Sequence, residues 1–152
     1  MSYTTAQGRQ QVLDALAAAA DQLGAALAYL GEAYEQLDDY AAERLEEELF
    51  RPVQLAYGRA QRVHAEFAAR HGFPARAFEP QTPHVRAHDA KGIIDSAVEA
   101  VGRADGALGG LQDSMLPVEV GDPALRAGLE QVRVLLGEVP DRARRLERTL
   151  GR

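Results

Sequence analysis

The sequence predicts an all-α protein, a single domain folded as an antiparallel up-down-up-down four-helix bundle. Three observations carry that expectation. The 152 residues contain 28 alanines and 18 leucines against 11 valines, 4 threonines and 2 isoleucines, and straight side chains favour helices where β-branched ones favour strands. Apolar residues recur in steps of three and four over four long stretches, the spacing that lines one face of a helix. The stretches are separated by recognisable caps and prolines, and a chain of this length supplies one core.

The first helix is placed at about residues 4–36, on the stripe Leu13, Leu16, Ala20, Leu23, Leu27, Leu30 and Tyr34. The same period runs on through Leu45, Leu49, Val53, Ala56, Ala60, Val63 and Phe67. A single helix covering both stretches would be about 100 Å long at 1.5 Å per residue, too long for a domain of this size. The turn is assigned to Asp38-Asp39, where a short carboxylate can cap the incoming helix, with Gly31 as the weaker alternative. The second helix is placed at about 39–71, with a kink or restart near Arg51 forced by Pro52. His71-Gly72-Phe73-Pro74 closes it with a left-handed glycine followed by a proline.

Residues 73–82 read as a surface loop with Phe73 and Phe78 tucked back onto the bundle. The third helix is placed at about 83–115, started by Thr82-Pro83 and striped by Ile94, Ala97, Val101, Ala104, Leu108, Leu111 and Met115. Asp122-Pro123 repeats the cap-plus-proline signature and opens the fourth helix, about 123–150, on Leu125, Leu129, Val132, Leu136, Val139, Ala143, Leu146 and Leu150. Pro140 interrupts its hydrogen bonds but not its period. Tyr29, Leu55 and Val134 fall off their stripes and are expected to point outward.

Chemistry is sparse. There is no cysteine, which excludes disulfides and thiol nucleophiles. None of the 13 glutamates is followed by histidine three residues on, so the spacing used by di-metal carboxylate bundles is absent. No phosphate-binding glycine loop or nucleophile motif occurs either. The expectation is a non-catalytic protein with no cofactor and no metal. A net charge of −6 argues against nucleic acid, which needs a concentrated positive face. Without an apolar leader or an uncharged spanning stretch, the cytoplasm is expected and a membrane is not.

Two surfaces stand out. Gly102, Gly106, Gly109 and Gly110 lie on the third helix, with Gly102, Gly106 and Gly109 facing roughly away from its core stripe. Each interior glycine costs about 1 kcal/mol relative to alanine, and a glycine face lets another helix approach closely. The leading functional expectation is therefore a bundle that self-associates, as a homodimer or larger homo-oligomer, or docks a protein partner. The alternative is a small-ligand or metal site on the edge of the second helix that carries Tyr57 and His64. His84 and His88 are four residues apart but point away from the core stripe and are read as solvated. Acidic residues crowd positions 32–48 and arginines crowd 142–152; an up-down-up-down chain order puts these blocks at opposite ends.

Overall fold

The computed structural model describes residues 2–83, 89–120 and 122–150. Every regular element among them is helical: α1 Ser2–Gln36, α2 Asp39–Leu45, a π-helical turn Glu46–Phe50, α3 Arg51–His71, α4 Ala90–Asp113, α5 Leu116–Glu119, α6 Pro123–Leu136 and α7 Val139–Leu150. Four long rods result: α1, then α2 with α3, then α4, then α6 with α7. The all-α bundle is as expected.

The local signals explain the breaks. Asp38 accepts from the Ala41 amide at 2.8 Å and caps α2, and α1 passes through Gly31 without a break. Pro52 has no N–H for the carbonyl of Glu48, so the chain widens to a π turn in which the Arg51 amide reaches back to Glu46, and α3 restarts at Arg51. Gly72 takes φ 75° at the end of α3, and the Phe73 amide bonds the Ala68 carbonyl at 2.8 Å, the left-handed cap that glycine allows without steric cost. Pro140 divides the fourth rod at Gly137 and Glu138, and the buried stripe continues across the break.

The third rod differs from expectation in two ways. Pro83 is not helical; α4 begins at Ala90, where Asp89 accepts from the Gly92 amide at 2.9 Å and outcompetes Thr82-Pro83 as the cap. The helix also ends at Asp113, so Met115 lies beyond it and is exposed rather than in the core. His84 and His88 lie outside the described residues.

The direction of this rod also changes. Residues 73–83 do not cross over the bundle end but climb the groove between α1 and α3, with Arg76 paired to Asp21 and Gln81 beside Gly24. The chain thus returns to the α1–α2 turn before α4 starts. Ala90 and Lys91 sit by Gln36 and Leu37, Arg103 donates to Gln22 at 3.0 Å, and Leu116 lies against Gly8. The order is therefore up, down, down, up. Neighbouring rods remain antiparallel throughout, because α1 lies between α3 and α4 while α6 packs on both of those.

The core holds only aliphatic side chains and Phe67, and the sole buried polar residues among those described are His64 and Asp122. By length and composition α1 is apolar enough to cross a membrane, but much of its apolar stretch is covered by the rest of the bundle. Phe73 and Phe78 pack onto the core as expected, and Leu55 and Val134 point outward. Tyr34 and Tyr29 reverse their expected places: Tyr34 is 43% exposed, whereas Tyr29 packs against the core.

Candidate functional site

The reversed third rod brings together what an up-down-up-down order would separate. Acidic α2 with its π turn and arginine-bearing α7 meet at the same end of the bundle, and Arg142 bridges them, within 3.7 Å of the Glu48 carboxylate. Its guanidinium also donates, at 3.5 Å, to the Glu48 carbonyl that Pro52 leaves without an amide. The expected separation of the two charge blocks is thereby overturned.

Around this internal pair the remaining charges face solvent. Glu43, Glu46 and Glu47 are exposed on one side, and Arg145 and Arg148 on the other. The α1–α2 turn, the start of α4 and the end of α7 line a concavity of about 510 Å³, with Leu37, Tyr40, Lys91 and Leu150 in its walls. Tyr40 in its wall is 71% exposed, and Tyr34, two residues before the end of α1, is 43% exposed. Large aromatic side chains left in water next to a concavity are typical anchors of protein interfaces.

A carboxyl pair sits on the shoulder of this end. Glu147 of α7 faces Asp95 of α4; burial, followed by the hydrogen bond and charge of Asp95, pushes its pKa up to about 7, and Lys91 opposes the shift. A carboxyl whose folded value lies above its ordinary 4.5 takes up a proton on folding between those values, so stability is highest below about 4.5 and falls as the pH rises through about 7. Glu147→Gln is expected to remove this dependence and to be more stable than the parent at about pH 8 by on the order of 1–2 kcal/mol, allowing for solvent screening. Urea unfolding across that range measures it.

The sequence-predicted positions separate. Gly102, Gly106 and Gly110 form an open ridge on α4, where an added Cβ meets nothing within 4 Å. Gly109 does not belong to it. It is buried under the Arg133 guanidinium, 3.1 Å from where a Cβ would stand, and Arg133 is held there by Asp105 and Gln112. With open space around it, Gly106→Ala is expected to stabilise the protein by about 0.5–1 kcal/mol, seen as a raised Tm. If a second helix packs on the ridge, Gly106→Leu will lower the sedimentation coefficient; no change leaves the ridge bare.

Tyr57 and His64 line different cavities, about 300 and 320 Å³, with the Phe78 ring between the two residues. His64 is 4% exposed, more buried than the edge position predicted, and its Nδ1 has no hydrogen-bond partner. Burial, then the charge of Arg76, holds its pKa below the ordinary value, and burial raises that of Tyr57. No group of three metal-capable side chains exists among the described residues.

Sequence reasoning found Asp122 as a cap but not its partners. The buried carboxylate accepts from Arg70 through two guanidinium nitrogens at 2.9–3.0 Å and from His71 Nε2 at 2.8 Å, as well as from the Leu125 amide. The Arg70-His71 pair at the end of α3 was the available signal, since it faces the start of α6 once the rods are antiparallel. This cluster is engaged in closing the far end of the bundle, where Asp122 borders a surface hollow of about 270 Å³ with Pro117 and Arg126.

Compared with protein-family models, with curated proteins and with solved structures, the chain matches none.

Proposed function

We propose that this is a non-catalytic bundle that works by protein contact, pairing with a second copy of itself through the end that carries α2 and α7. The carrying observation is that acidic α2 with its π turn packs against arginine-bearing α7, with Glu43, Glu46 and Glu47 exposed on the first and Arg145 and Arg148 exposed on the second. Such a surface complements itself. When a second copy approaches across a two-fold axis, Glu43, Glu46 and Glu47 of each face Arg145 and Arg148 of the other, and every contact is made twice. Tyr40 supplies desolvated area at the centre, and the charges set register and encounter rate. A bundle whose reactive groups are few and dispersed, and whose α1 stripe is taken up by its own neighbours, fits such a role in the cytoplasm.

Sedimentation with paired charge reversals tests the reading. The parent protein is expected to dimerise at low salt and to dissociate at about 1 M salt, where the Debye length shrinks to about 3 Å. Arg145→Glu with Arg148→Glu, and separately Glu43→Arg with Glu47→Arg, should each give monomers, and mixing the two variants should restore a dimer. A monomeric parent at low salt, or a mixture that stays monomeric, overturns it.

A further inference from the structure

The groove between α1 and α3 is covered by a segment held through side chains rather than through its backbone. Beyond Phe73, residues 74–83 make no backbone–backbone hydrogen bond among those described. Arg76 pairs with Asp21 at 2.9 Å, the Phe78 ring stands nearly perpendicular to the His64 ring at 5.3 Å, and the Arg76 guanidinium lies 4.6 Å from the centre of the Phe78 ring. Two hollows lie along this strap, one lined from α1 by Leu13 and Ala17, the other by Leu27. A segment with so few backbone bonds can open at low cost while the helices beside it stay formed.

His64 sits beneath the strap, 4% exposed, in a place that suits only its neutral form. An imidazolium carries a proton on both ring nitrogens, so charging the ring puts an N–H at Nδ1, which is buried without a hydrogen-bond partner. A buried donor left unmade is costly, and a desolvated charge more so. The strap contributes Arg76, a like charge that opposes the proton in addition to burial. From α1 come Asp14, which accepts from Gln10 at 2.9 Å, and Asp21, which is taken up by Arg76. Two turns further along α3, His71 is held by Asp122. Burial first, then Arg76, set the balance at His64 against the charged form. Of the surfaces around this imidazole, the strap is the one that can leave without breaking helical hydrogen bonds, and the Phe78 ring and the Arg76 charge leave with it.

We infer that residues 74–83 form an acid-released strap: a proton taken up by His64 lifts Phe78 and Arg76 from the groove while the four rods stay folded. Self-pairing at the α2–α7 end plays no part in this. With the strap off, the imidazole is in water and titrates at its ordinary 6.5. The closed form is therefore favoured in full above that value and gives way as the pH falls from it towards the lower closed-state value. Chymotrypsin cleavage after Phe78 reads the opening in the full chain, located by mass spectrometry and divided at each pH by the rate for a free peptide of residues 73–83. The normalised rate is expected to rise about fivefold or more between about pH 7.5 and about pH 5.5. His64→Phe and His64→Gln, one apolar and one polar and neither able to take up the proton, should each flatten the rise. Cleavage after Tyr57 and Phe67, inside α3, should stay slow throughout. A parent rate that does not change with pH, a rise that survives in either variant, or cleavage inside α3 that rises in step with that at Phe78 would overturn the assignment.

Discussion

Asp122→Ala is expected to lower the free energy of unfolding by about 2–4 kcal/mol, the loss of a helix cap and of the charged hydrogen bonds from Arg70 and His71, discounted because Arg70 can turn to solvent. Urea denaturation measures it. The carboxylate is 4% exposed and does three things at once: it receives the two-nitrogen contact from Arg70, accepts from His71, and caps the first turn of α6 through the Leu125 amide. Alanine abandons all three and leaves the half-buried His71 imidazole without its acceptor, while the Arg70 guanidinium, 37% exposed, turns to solvent. Asp122→Asn keeps an oxygen for the amide and should recover about 1 kcal/mol, the usual worth of a cap. Burial alone would push this carboxyl up, but the bonds from His71, Leu125 and Arg70 outweigh it and leave the pKa below its ordinary 3.8. The contribution is therefore complete above that value and is lost as the pH falls below it through the folded value, the reverse of the Glu147 dependence.

Gly128→Ala is expected to cost about 1–3 kcal/mol, as overpacking does where two helices meet closely. A Cβ at this position would stand 2.7 Å from Val63 Cγ2, so either the stiff Val63 side chain leaves its rotamer or α3 and α6 move apart. Trimming the opposing residue should relieve the clash: the double variant Gly128→Ala with Val63→Ala is expected to lose less than the sum of the two single variants. Thermal unfolding of the four proteins in a cycle gives the coupling directly. Identical behaviour of single and double variants would show that the rods part freely here.

Much of the secondary structure was legible because its signals are local. Asp38, Pro52, Gly72, Asp122 and Pro140 each act within one turn of chain, and each break falls where its residue demands. The start of the third helix is not legible because two local signals compete, Thr82-Pro83 against Asp89, and nothing in the sequence ranks them. The chain order was not legible at all. The apolar stripes are satisfied by either direction of the third rod, and only the path of Phe73, Arg76 and Phe78 along α1 decides it. That one unreadable choice carried the candidate site with it: the acidic and basic blocks were both visible in the sequence, and their meeting was not. Periodicity alone sets Gly109 outward and carries no sign of Arg133 folding over it.

The strap's length has a consequence for evolution and engineering. Returning past α4, a helix of 24 residues, requires about 36 Å of travel at 1.5 Å per residue, and the connection between Gly72 and Asp89 can span on the order of 55 Å when extended. Deleting most of it would leave the four rods and their greasy stripes intact while making the return impossible. The shortened chain would have to thread its third rod the other way, so that spacer length, rather than core composition, selects between two isomeric folds of one set of helices.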